Sequence, residues 1–257
     1  MTSTILAHPA ASDRQFFRAC FTAMAFVLVS GFVVQLALGR SSFNAPLIVH
    51  LHAVVFMGWV GIVLAQSWLA TGGNIAMHRQ LGKLALVWAI TMIVFGTLVT
   101  LAATQTGRTP FFFQPQHFLI ANPMTLLGFA GLLIAAIALR QQTDWHARLQ
   151  VGAFVMLMGP GFGRLIPMPL LTPYAFETAG LVALLVPAIG MLRDWRVHGR
   201  PHPAWLWGTG VLIAVMVLAR VLAFSPVGAA IYESATAGSI VAGTDGLAFP
   251  PPPPGPM

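Results

Sequence analysis

Residues 46–70 read PLIVHLHAVVFMGWVGIVLAQSWLA. The whole stretch passes without one Asp, Glu, Lys or Arg. An α-helix rises about 1.5 Å per residue, so a run of this length crosses about 30 Å of hydrocarbon. Lipid offers the backbone no hydrogen bonds, and a helix pairs its own amides and carbonyls. The stretch therefore reads as a transmembrane helix. Pro46 stands at its head, where a missing N–H costs nothing, and Asn44 is the expected cap.

The same pattern recurs along the chain. Spans are expected at about 17–39, 46–70, 81–104, 119–139, 149–171, 175–192 and 203–224. Pro173 and Pro203 open two of them, with Thr172 as a second expected cap. The fold class is all-α: a polytopic transmembrane helix bundle of about seven spans, occupying 1–224. Residues 225–257 lose the apolar pattern and end in a run of prolines, so they read as a flexible, polyproline-like tail. Composition agrees. Apolar residues make up 57% of the 257 and charged ones 7%, against about 25% in an ordinary soluble domain. So few charges cannot clothe a water-facing surface, but they suit a lipid-facing one.

The net charge of +7 comes from arginines spread in loop-sized groups, with no dense basic stripe for nucleic acid. Cys20 is alone, which excludes an internal disulfide and a cysteine-based metal framework. The N-terminal run 19–38 is too long for a signal peptide core and reads as a retained first helix. Arg14, Arg18, Arg79, Lys83, Arg140, Arg148, Arg193, Arg196 and Arg200 fall at alternate ends of the spans, so the N-terminus is expected in the cytoplasm and the C-terminus outside. Trp68, Trp88, Trp145, Trp195, Trp205 and Trp207 are expected as anchors at the cytoplasmic interface. The fifth span carries Gly159-Pro160-Gly161-Phe162-Gly163-Arg164. Proline removes a donor and glycine weakens the helix, so a break near Gly159–Gly163 is expected, inside the bundle where freed carbonyls find partners.

This topology sorts the polar residues into two layers. His50, His52, His117, Arg164, Glu177 and Arg220 fall toward the outer ends of their spans; His78, His146, His198 and His202 fall at the inner ends. Ionisable groups inside spans are costly and face protein or water, so the outer set is expected to share one pocket. His50 and His52 are two apart and point to different faces. His52 shares a heptad face with Trp59 and Gln66 and is the inward one. His52 and His117 are the expected metal or haem ligands, with Arg164, Arg220 and Glu177 around them as cofactor-binding residues. Imidazoles from two helices can hold a b-type haem, and an arginine can neutralise a propionate. If no cofactor is bound, Arg164 and Glu177 are the expected ion pair. His78 and His146 form an alternative inner pair, read first as caps or lipid-phosphate contacts; His198 and His202 read as a solvated loop. There is a weak internal echo: Met77-His78-Arg79-Gln80-Leu81-Gly82 before the third span, and Trp145-His146-Ala147-Arg148-Leu149-Gln150 before the fifth. No nucleotide loop, Ser-His-Asp set or His-Glu-x-x-His occurs, and six acidic residues are too few for a carboxylate metal site.

Val49-His50-Leu51-His52-Ala53, Gln66, His78-Arg79-Gln80-Leu81-Gly82, Arg164-Leu165-Ile166-Pro167 and Gly199-Arg200-Pro201-His202-Pro203-Ala204 follow one another in a recognisable order. Over about 45–210 the chain resembles a widespread, functionally uncharacterised family of bacterial multi-span membrane proteins, marked by Val-His-Leu-His and His-Arg-x-Leu-Gly. The resemblance implies a bacterial inner-membrane location and supplies no activity. A fainter similarity runs to membrane cytochromes b. The leading expectation for function is a haem- or metal-binding membrane protein serving electron transfer, with haem b or a transition metal as cofactor. Its partners would be the lipid bilayer and a subunit of the respiratory chain or another membrane complex. The alternatives are a non-catalytic accessory subunit or assembly factor, and a small-molecule or ion carrier built around the broken fifth span.

Overall fold

The computed structural model describes residues 11–40 and 43–252. Among them the secondary structure is all helical. In chain order the helices are α1 (Ala11–Ala37), α2 (Leu47–Thr71), α3 (Ile75–Gln105), α4 (Pro115–Ala138), α5 (Thr143–Met156), α6 (Gly159–Leu165), α7 (Ala175–Ala183), α8 (Leu185–His198), α9 (Pro203–Ala223) and α10 (Pro226–Thr236), with a 3-10 turn at Met168–Leu171 between α6 and α7. Six stretches are long and apolar enough to cross a membrane: most of α1, then α2, α3, α4, the continuous α7–α8 rod and α9. Their outward residues are large and apolar, among them Phe26, Val54, Val87, Leu127, Leu181 and Val221. In water such a surface would aggregate; against lipid it needs no cover.

α5 and α6 make one further, broken pass. They run beside α1 in step. Arg148 lies over Phe17, Phe154 against Phe21, Gly161 against Leu28, and the Arg164 carbonyl accepts from Gln35. The pair therefore traverses the bundle from one end to the other. The break falls at Leu157–Met158, where the amides turn back to Phe154 and Val155. It lies just before Gly159–Gly163 rather than within it. Pro160 has no N–H with which to continue the ladder from Met156, so the ladder stops and α6 restarts with the proline in its first turn. Every residue from Val151 to Met158 is buried, so the freed carbonyls lie in protein rather than in lipid. Around α5 pack α1, α4 and α9, and the main core, including Phe129, Phe154, Met158 and Trp205, surrounds it.

Caps differ from expectation in two places. α2 begins on Pro46 with no side-chain cap, and α7 begins at Ala175, beyond Thr172, with none. Side chains do cap elsewhere: Asn74 accepts from Met77, His202 from Ala204 and Ser225 from Gly228. Gly199, at φ 75°, ends α8 in the left-handed conformation that glycine adopts without strain.

The expected tail from 225 is largely a folded element. α10 packs on α3, α4 and α9. The chain then folds back, with the Gly246 carbonyl accepting from the Gln116 amide and Leu247 from Gln114. Ser225, Tyr232 and Thr236 supply local hydrogen bonds that a composition-based reading overlooks. Of the proline run, 253–257 lie outside the described residues. The tryptophans also divide. Trp68, Trp195 and Trp207 are exposed, as interfacial anchors would be. Trp88 instead donates to the Val55 carbonyl of α2, and Trp205 is buried. Each has a partner for its N–H, which lets an indole enter a core.

Candidate functional site

The expected outer pocket separates into two groups. His52 is half-buried, and its ring lies tilted against Phe56 of the same helix, the centroids 4.1 Å apart. His50 points away to the Phe43 carbonyl. The charge nearest in effect to His52 is Arg164. Arg164 bonds the Pro160 carbonyl and lies 3.9 Å over the Phe32 ring, and among the described residues no carboxylate pairs with it. His117, by contrast, sits against Phe176 and Phe224, beside Glu177 and Arg220. Glu177 pairs with Arg220 and not with Arg164, which corrects the expected ion pair.

Among the described residues no ring contact joins His52 to His117: the neighbour of the first is Phe56 and those of the second are Phe176 and Phe224, so the expected ligand pair is not brought together. The reason is register. α2 and α4 run in the same direction and touch where Trp59 meets Phe129. Counting back seven residues on each helix sets His52 level with Asn122, and His117 stands about 7 Å further along the axis. Equal depth read from span ends missed this offset, because α4 begins with an extra turn.

At the other end two histidines do meet. The rings of His78 in α3 and His146 in α5 are 6.4 Å apart between centroids and nearly perpendicular, at 88°. Their Nδ1 atoms are bound alike, His78 to the Gln66 carbonyl of α2 at 3.2 Å and His146 to the Ala136 carbonyl of α4 at 2.7 Å. A carbonyl can only accept, so each Nδ1 donates; a ring in its neutral form then presents a lone pair at Nε2. They do not cap their own helices, as first read; each latches its helix to the one before. The echo between the two histidine segments is thus a repeated hairpin, α2–α3 and α4–α5, with an equivalent bond in each. Gln66 adds a buried side-chain oxygen with no partner beside His78.

The same end holds a charged cluster that the sequence reading missed. Asp194 is fully buried and Arg148 is 2% exposed. Arg148 donates to both oxygens of Asp194 at 2.8 Å, and Trp205 and the His202 amide donate to Asp194 as well. Arg193 reaches Asp13 at 2.6 Å, with His198 3.7 Å from that carboxylate. His198 and His202 therefore border a network instead of standing in open solvent. The signal was present: with only six acidic residues in the chain, each acid near a span is a strong candidate to be paired. Asp194 was passed over because Arg193 and Arg196 beside it made the segment read as a basic loop.

Chemically the Asp194 carboxylate is saturated. Asp194 accepts from four donors, so it is suited to holding α5, α8 and α9 together and has little left for a ligand. The His78–His146 pair is the opposite: among the described residues neither Nε2 has a hydrogen-bond partner. Among the described residues no group of three or more His, Cys, Asp and Glu side chains converges as a metal site would. Compared with known proteins, the chain matches no family model, no curated protein and no solved structure.

Proposed function

We propose that this membrane protein binds a haem or other transition-metal centre through His78 and His146 and serves electron transfer. The observation that carries the reading is the paired Nδ1–H···O=C anchoring of two adjacent imidazoles. Metal-ligating histidines nearly always donate their other ring N–H to such a group, which fixes the tautomer and aims Nε2. The number of ligands favours haem. A zinc ion takes three or four side chains, whereas haem iron takes one or two, the porphyrin filling the other positions. When bound, such iron supplies one-electron redox chemistry. The chain's part is to hold both rings neutral and oriented, at an end of the bundle where they stay half exposed to a partner.

The reading includes a setting. In this reading the His78 end, which carries most of the basic residues, faces the cytoplasm and the α10 end faces outside, in a bacterial inner membrane. A respiratory-chain or other membrane-complex subunit is the partner class this implies.

The test is an absorption spectrum of the purified protein, oxidised and reduced, with metal analysis of the same sample. A haem signal lost in His78→Ala and in His146→Ala, and kept in His52→Ala and His117→Ala, is the expected result. Protein expressed with haem and metal supply that carries neither would remove the redox reading and leave an accessory subunit or assembly factor.

A further inference from the structure

At the Glu177 end several buried polar atoms have no partner among the described residues, Oγ1 of Thr109 and Nδ1 of His52 among them, and two belong to neighbouring side chains. His117 is 4% exposed and its Nε2 is unpaired, and Oε2 of Glu177 is likewise buried and unpaired. Such orphans are rare in folded proteins and ask for an occupant. Both belong to one junction. The His117 ring lies 5.1 Å from Phe176, the neighbour of Glu177, and 5.8 Å from Phe224, one turn past Arg220. Arg220 binds Oε1 of Glu177 and so leaves Oε2 as the free acceptor. The Gln116 amide group donates to the Ala223 carbonyl and fixes the head of α4 against the end of α9.

The two orphans define what would answer them. A carboxylate oxygen only accepts, while an imidazole nitrogen can donate. A hydroxyl carries what each lacks, a hydrogen for Glu177 and an accepting oxygen for His117. Phe176 and Phe224, tilted at 59° and 67° to the imidazole, give the junction aromatic, apolar walls that suit an attached ring. Tyr174 and Phe224, which flank Arg220, are 55% and 42% exposed, so the rim of the junction faces outward.

We propose that His117 and Glu177 form a binding site for the hydroxyl of a lipid-soluble aromatic alcohol of the quinol class. The site stands apart from the His78–His146 pair, and neither proposal depends on the other.

The experiment uses the full chain in lipid nanodiscs and two labelled probes: decylubiquinol, kept reduced, and its O-methylated diether, which can accept but not donate. Wild-type protein should bind the quinol saturably, one per chain, and the diether about tenfold more weakly, the worth of one hydrogen bond of this kind. His117→Leu should weaken quinol binding by about tenfold as well, while His198→Ala binds like wild type. Absence of saturable binding would overturn the proposal. So would equal binding of the two probes, or equal loss in the His198 variant; the orphans would then be served by water. If His117→Leu does not fold, the contrast between the two probes on wild-type protein decides alone.

Discussion

Asp194 shows how a single acid is kept inside an apolar bundle. Its charge is tolerable because Arg148, Trp205 and the His202 amide complete its hydrogen bonds. Removing one partner of such a pair strands the other, so Asp194→Ala should cost about 3–5 kcal/mol. Arg148→Met should cost a similar amount, and the double variant less than the two together, because no stranded charge remains. Denaturant or thermal unfolding in detergent measures all three. His202 makes a different prediction. It lies between spans and caps α9 by accepting the Ala204 N–H at Nδ1. Burial first, then the Arg148 guanidinium, hold this imidazole below its ordinary range, against the pull of Asp144 and Asp194. The unfolded ring takes up its proton near pH 6.5, before the folded one does. The stability this group contributes is therefore complete above that pH and is lost as pH falls. His202→Asn keeps a capping acceptor that cannot titrate, so its melting temperature should fall less than that of wild type between pH 7.5 and 5.

Among elements, the broken α5–α6 pass is the most exacting. Its fit to α1 depends on two glycines meeting: a Cβ on Gly31 would stand 2.8 Å from the Gly161 carbonyl, and one on Gly161 would stand 2.9 Å from Leu28. Gly161→Leu should therefore force α6 off α1 and lower the melting temperature, whereas Gly210→Leu, open on the outer face of α9, should not. α8 and α9 meet as closely. A Cβ on Gly190 would run into the Trp205 ring, and that ring cannot swing away without giving up Asp194. Even Gly190→Ala should destabilise the protein, by an amount in the range of about 1–3 kcal/mol typical of overpacked cores; a melting temperature unchanged from wild type would refute the tight contact.

For the molecule as a whole, the two ends are built differently. The His78 end gathers most of the basic residues, the saturated Asp194 carboxylate and the two anchored imidazoles. The Glu177 end is closed over by α10 and the chain that follows it. Reporter fusions after Arg200 and after Gly246 test the proposed orientation: a cytoplasmic signal is expected from the first and an external one from the second, and the reverse would invert the assignment.

The bundle was legible in the chain because lipid demands a simple thing of sequence, about 20 apolar residues with few charges, and 46–70 and its counterparts supply it. Pro160 also marks the broken pass, since a missing donor stops a helix in any context. Which polar side chains meet was not legible. Depth along a span can be counted, but rotation and axial offset arise only when helices pack, and a shift of a few residues separates His52 from His117 while bringing His78 to His146. The buried Asp194 and the folded segment after Ser225 were hidden for the same reason. A charge beside arginines and a weakly apolar stretch both read as loop until the partners that satisfy them, Arg148 on another helix and Gln116 across the fold, are brought in by the tertiary structure.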